Sequence, residues 1–225
     1  EEIEPNMLNV LEFHDEQRLS SDFFAGDAQK GKAGMIVASC MNTNPVMIYA
    51  GQELGERGMD AEGFSGRDGR TTIFDYWHVD TLGRWYHQGK IGHALLTTEE
   101  QELQQFYSKL LNACLHEKAL SKGLFFDLMY ANMEGGCLDP HRQYVFLRAY
   151  EDEAVLVVAN FSDQARAVAI NLPQHAFDYL QLEPNSQCEA VDLLTNETET
   201  ICVSPDQPVE TYVTPWGGKL LKFKR

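Results

Sequence analysis

Beyond Gly123 the sequence stops spacing its apolar residues at helical intervals and becomes a close succession of short apolar-rich segments divided by turn residues. Tyr144 to Tyr150, Ala154 to Phe161, Ala167 to Leu172, Glu189 to Leu194, Thr198 to Val203, Glu210 to Thr214 and Lys219 to Phe223 each have the length of a strand. Ser162-Asp163, Pro184-Asn185 and Gly217-Gly218 punctuate them. Short strands at such close intervals pair with their neighbours, so residues 123–225 are expected to form a second domain of antiparallel sheet. Residues 1–122 then form a separate α/β region.

Within that region the clearest helix follows Thr98-x-x-Gln101, which fits a capping box. Leu103, Phe106, Tyr107, Leu110, Leu111, Cys114 and Leu115 recur at the spacing of one apolar stripe, and Gly123 after Lys118 and Lys122 supplies a stop. Such a stripe is core rather than a cofactor box. Earlier, the run Met7-Leu8-Asn9-Val10-Leu11-Glu12-Phe13 reads as a buried strand ending at His14-Asp15. A helix from Asp27, its N-cap, to about Met41 follows, Asn44-Pro45 breaks it, and Val46 to Ala50 is a second strand. Strand, helix and strand at this spacing make a βα unit feeding a parallel sheet. Sites in α/β folds gather beyond the carboxyl ends of such strands, which makes His14 and Asp15 candidates, although such a pair is more often a turn or a cap.

The stretch from Glu56 to Leu96, rich in glycine and aromatics, is expected to be a long folded loop lining a site or partner. Gln52 and Glu53, after the second strand, read as hydrogen-bonded rim residues. Gly26-x4-Gly31-Lys32-Ala33 nearly matches a phosphate loop, but Ala33 stands where the magnesium-binding hydroxyl belongs, so the match carries no function.

Charge narrows the partners. Acidic residues outnumber basic ones by 34 to 18, for a net charge of -16, which repels nucleic-acid phosphates and anionic membranes. No apolar run approaches a membrane span, and Glu1-Glu2-Ile3-Glu4-Pro5 is unlike a basic signal-peptide start. Cys40, Cys114, Cys137, Cys188 and Cys202 are scattered with no CxxC pair, which reads as free thiols and fits a cytoplasmic setting. Asp60, Glu62 and Asp68 crowd one loop, but their spacing matches no calcium loop. The histidines form no zinc motif, so neither metal nor cofactor is expected.

These residues resemble the α-amylase family of glycoside hydrolases. Leu8-Asn9-Val10-Leu11-Glu12-Phe13-His14-Asp15 is similar to the segment at the seventh strand of that family's (β/α)8 barrel. Asn44-Pro45-Val46-Met47-Ile48-Tyr49-Ala50-Gly51-Gln52-Glu53 resembles the eighth strand with its trailing Gly-Gln-Glu, and Arg70 to Trp77 the last βα loop. Val155 to Ser162 and Asp192 to Thr195 resemble strands of the β-sandwich that comes after the barrel. The resemblance implies the C-terminal portion of a TIM barrel, two βα units and incomplete, plus the sandwich.

It also implies retaining cleavage of α-glucosidic bonds in starch or maltodextrin. Asp15 would stabilise the cationic transition state without attacking or protonating, and His14, Arg18 and Trp77 would contact substrate. The family's nucleophile and acid/base belong to earlier strands and match nothing in this sequence, so the chain by itself is expected to be inactive. Phe13 departs from the usual polar residue. Strand faces and edges meant for missing units are expected to self-associate or to meet the missing N-terminal part of the same enzyme. Two readings stay open beside hydrolysis: a non-catalytic carbohydrate-binding or scaffold module using Trp77, Trp85, Tyr86 or Trp216, and a transglycosylase or isomerase of the same family.

Overall fold

The structure, a computed structural model, describes residues 6–60, 67–71, 79–133 and 138–225. The opening run contributes strand β1 (Asn9–Val10), which pairs in parallel with β2 (Val46–Met47) in the register Asn9 to Val46. Between them a 3-10 turn (Ala28–Gly31) leads into α1 (Lys32–Cys40), and Asp27 caps the turn by accepting from the Gln29 amide. Asn9 fixes this unit from inside, its Nδ2 donating at 2.8 Å to both the Ala38 carbonyl and Asn42 Oδ1.

Helix α2 (Asp80–Trp85) and a small hairpin, β3 (Tyr86–His87) with β4 (Lys90–Ile91), form in the segment expected to be a long folded loop. The long helix α3 (Thr98–His116) does have a capping box, but one residue earlier than the sequence suggests: Thr97 and Glu100 exchange the two bonds. Its buried stripe is Leu103, Tyr107, Leu110 and Ala113, whereas Leu115 is 70% exposed. Glu117, in extended conformation, separates α3 from the short α4 (Lys118–Lys122). Gly123 then turns the chain where any Cβ would sit 2.2 Å from the Ala119 carbonyl oxygen and 2.7 Å from that of Ala149, so it serves close approach as well as termination.

Downstream come β5 (Leu124–Asp127), β6 (Gln143–Tyr150), β7 (Glu153–Asn160), β8 (Arg166–Ile170), the helix α5 (Gln174–Leu180), β9 (Asn185–Asp192), β10 (Thr198–Val203), β11 (Val209–Val213) and β12 (Gly218–Lys224). Among the described residues these strands form a six-stranded antiparallel sheet in the order β10-β9-β12-β7-β6-β5 and a two-stranded sheet, β11-β8. The sequence pattern does not reveal β5 or α5, one having only four residues beside a helix stop, the other only seven after Pro173.

The central strands bury both faces. Val145, Leu147, Leu156 and Val158 point into a core shared with Val168, Ile170, Val209 and Val213 of the small sheet and with Phe177 of α5. On the opposite face Phe146, Val155 and Val157 meet Ile36 and Cys40 of α1, Leu103 and Leu110 of α3, and Leu120 of α4. A sheet covered by helices on one side and by a second sheet on the other explains the near-continuous apolar run from Ala154 to Ala159, which is not the alternating pattern of a one-sided sheet. Arg148 crosses to the helical side, donating to the carbonyls of Cys40, Leu120 and Gly123 and so capping α1 and α4 at their electronegative ends. Among the described residues no helix is long and apolar enough to cross a membrane.

Candidate functional site

The carboxyl ends of β1 and β2 lie side by side, and the residues just beyond each strand converge there. After β1 come Glu12, His14, Asp15 and Arg18; after β2 come Tyr49, Ala50, Gln52 and Glu53. Arg18 joins the two sets. Its Nη1 donates to Glu12 Oε2 at 2.9 Å, its Nη2 to the Ala50 carbonyl at 2.6 Å and its Nε to Thr71 Oγ1 at 3.0 Å, while the guanidinium lies 4.1 Å from the centre of the Tyr49 ring. Glu12 also accepts from the Leu19 amide at 2.7 Å, and the Tyr49 hydroxyl donates to the Thr71 carbonyl at 2.7 Å.

This places Arg18 differently from the sequence expectation. The side chain is 1% exposed and its donors are taken up by the protein, so it braces the strand ends rather than reaching a sugar. Burial pushes the Glu12 carboxyl above its ordinary range even against the opposing pull of Arg18, the sign of an ion pair in a dry setting. Sequence reading misses Glu12, whose only signal is a single charge inside an apolar run.

His14 and Asp15 sit on the open side of this brace, in a tight turn closed by the Glu16 amide donating to the Phe13 carbonyl. His14 Nε2 is 3.4 Å from Asp15 Oδ2, and the two side chains are 40% and 63% exposed. Phe13 packs edge-on to the His14 ring at 6.2 Å. This chain's described residues therefore leave the pair open to solvent rather than enclosing it in a dry pocket. What they present is an accessible carboxylate with a neighbouring imidazole, held over a rigid base, which can accept hydrogen bonds from hydroxyls. Trp77 lies outside the described residues.

Gln52 is the buried structural group expected at the rim: its Nε2 donates to the Tyr107 hydroxyl at 3.0 Å and its Oε1 accepts from the Tyr49 amide at 3.2 Å. Glu53 also receives backbone hydrogen bonds, from its own residue and from Gly51. Its Oε2, however, is buried with no hydrogen-bond partner among the described residues, and burial outweighs those bonds and raises its pKa above the ordinary 4.5. The folded chain therefore keeps this proton to higher pH than the unfolded chain does, and stability falls as pH rises through and above 4.5. Glu53→Gln is expected to stabilise the fold by on the order of 1 kcal/mol at pH 7, with the gain shrinking below the unfolded pKa. Urea unfolding at both pH values checks this; an equal difference at each would contradict it.

Further out, Glu56 accepts from the Gly58 amide at 2.8 Å and from Thr81, tying the loop to α2. Gly69 carries the carbonyl that receives the Arg18 amide at 2.7 Å. Its φ of +82° and the Ser21 and Gln17 side chains within 3.0 Å of a would-be Cβ leave room only for glycine there. Of the acidic loop residues, Asp68 accepts from the Arg70 amide and Glu62 lies outside the described residues. Among the described residues no three His, Cys, Asp or Glu side chains converge as cation ligands.

Comparison with known proteins adds a domain match and a shared fold. Residues 138–201 match the maltogenic amylase C-terminal domain. No curated protein matches the chain by sequence. Among solved structures, a maltogenic α-amylase, AmyB, from Thermotoga neapolitana superposes with a TM-score of 0.61 at 12% identity, over 98% of this chain and 41% of that one. The α-amylase of Geobacillus thermoleovorans, solved with acarbose, gives 0.61 at 15% identity, over 98% and 39%. An Anoxybacillus α-amylase gives 0.59 at 13% identity, over 99% and 39%. The chain thus spans about two fifths of the length of these structures and shares their fold. Residues 138–201 thus resemble the all-β C-terminal domain of maltogenic amylases, and the chain as a whole has the fold of the corresponding part of these α-amylases.

Proposed function

We propose that this chain supplies one wall of an α-glucan-cleaving site, with Asp15 as the carboxylate that stabilises the cationic transition state and His14 as its neighbouring sugar-hydroxyl ligand. The observation that carries the reading is the β1 tip itself. A carboxylate and an imidazole stand open to solvent on a turn whose base is locked by the Glu12–Arg18 pair, beyond the carboxyl end of a parallel strand. On this reading β1, α1 and β2 belong to the last two βα units of a (β/α)8 barrel in residues 1–122, and residues 123–225 are the sandwich after it.

In the proposed reaction the earlier barrel strands bring the nucleophile and the acid. Departure of the leaving group places positive charge on the ring oxygen and anomeric carbon, and the Asp15 carboxylate, accepting from ring hydroxyls, favours that cationic and flattened ring. The Asp15 side chain gains strength only when the remaining barrel and the substrate exclude water around it, since its 63% exposure leaves its field screened. Arg18 and Trp77 then divide: Arg18 positions the strand ends, while Trp77 keeps its proposed part as a substrate contact. The open apolar groove beside β1, lined by Leu8, Val10, Leu11, Val37 and Met41, is the face that the rest of the barrel, or a second copy of this chain, would cover.

The test is hydrolysis of maltooligosaccharides by the full-length protein, with the product anomer followed by NMR. Release of α-anomeric product, and no turnover by residues 1–225 alone, is the expected pattern. Turnover by the isolated chain, or inversion at the anomeric carbon, would refute the proposal.

A further inference from the structure

Cys40, the last residue of α1, and Cys114, near the end of α3, meet with their sulfurs 3.6 Å apart. Nothing in the proposed sugar chemistry uses them. Both are free thiols; Cys40 is fully buried and Cys114 partly accessible. Each comes from a different helix of the layer that covers the six-stranded sheet, and the contact joins positions 74 residues apart in sequence. Sulfurs in van der Waals contact need to approach by only about 1.5 Å to reach bonding distance. The surroundings suit thiolate chemistry at one of the two. Arg148 holds its guanidinium near the pair, with Nη1 on the Cys40 carbonyl at 3.1 Å; against this, the Cys114 thiol donates to the Ser39 carbonyl at 3.5 Å, a bond given up when its proton leaves. The contact with Cys40 lowers the Cys114 pKa, whereas the same contact, together with burial, holds Cys40 well above the thiol range.

We propose that Cys40 and Cys114 form a peroxide-responsive dithiol, an oxidative modification site that locks α1 to α3. The Cys114 thiolate attacks hydrogen peroxide: an S–O bond forms, the O–O bond breaks, and the departing hydroxide takes a proton to become water. Cys40 Sγ then attacks the Cys114 sulfenic sulfur; the S–S bond forms, the S–O bond breaks, and the Cys40 proton leaves with the hydroxide as a second water. Two thiols and one peroxide give one disulfide and two waters, and a dithiol reductant reverses the change. The closed loop contains β2, Gln52, Glu53 and Thr71, so the cross-link restrains one side of the candidate site.

The experiment treats the unaltered chain with hydrogen peroxide, denatures it, alkylates it and maps the peptides by mass. The expected product is a Cys40–Cys114 linked peptide pair, lighter by two hydrogens and reversed by dithiothreitol, with a rise in Tm of the oxidised chain. In Cys40→Ser, Cys114 stops at a sulfenic acid that dimedone traps, and the rise in Tm is lost. Alkylation of both Cys40 and Cys114 after peroxide has oxidised other thiols would overturn the proposal. So would a disulfide that pairs either one with a different cysteine.

Discussion

Arg18→Ala is expected to cost about 3–5 kcal/mol of folding stability, because it leaves the buried Glu12 carboxylate without its counter-charge. The magnitude comes from geometry rather than from the ion pair alone. Removing the guanidinium also frees the Ala50 carbonyl and the Thr71 hydroxyl and uncovers the face of Tyr49, so the two strand ends lose their only described side-chain bridge from Arg18. Total stabilities of domains are about 5–15 kcal/mol, and a loss of this size would leave a measurable unfolded fraction. The double variant Glu12→Leu with Arg18→Met removes both charges and is expected to recover most of the loss. Chemical denaturation of the three forms separates the contributions. A single variant within about 1 kcal/mol of the original chain would mean that water already reaches Glu12, contrary to its 2% exposure.

Asp15→Asn is expected to behave in the opposite way, with a large effect on turnover and a small one on folding. Its side chain is 63% exposed and, among the described residues, is engaged by the 3.4 Å approach of His14 and by a through-space effect on Tyr49, so stability should stay within about 0.5 kcal/mol. In the full-length protein the neutral amide keeps the size of the carboxylate but loses its charge. Removing one preorganised electrostatic partner from a closed site costs about 10²–10³-fold in kcat. KM for maltooligosaccharides should change far less, because the ground-state sugar carries no positive charge for Asp15 to meet. Steady-state kinetics at saturating substrate reads this split.

Local pattern makes much of this molecule legible and long-range contact makes the rest invisible. The run Ala154 to Ala159 and the turn at Ser162-Asp163 announce strands by themselves, and Asp27 announces a helix start. That β7 is covered on both sides depends on α1, α3 and α4, which lie far away in sequence, so pattern predicts only an antiparallel strand where a two-sided core exists. The capping box shifts by one residue because Thr97 and Thr98 offer the same hydroxyl, and only the backbone of Thr97 is extended enough to cap. At the candidate site, His14 and Asp15 follow from a strand ending in ionisable residues. The fate of Arg18 does not, since its partners stand 6, 32 and 53 residues away. Glu12 and Cys40–Cys114 are hidden for the same reason: each acquires meaning only from what folding brings beside it.

The central claim, that Asp15 favours positive charge on the reacting sugar, is tested most directly by comparing two ligands on the full-length protein and its Asp15→Asn variant. One is maltose; the other is a maltooligosaccharide analogue with a protonated amine where charge develops in the reaction. By calorimetry the analogue is expected to lose about 10²-fold or more in affinity on substitution, tracking the loss in kcat, while maltose changes only a few-fold. An equal change for both ligands, or none for the analogue, would contradict the role assigned to Asp15.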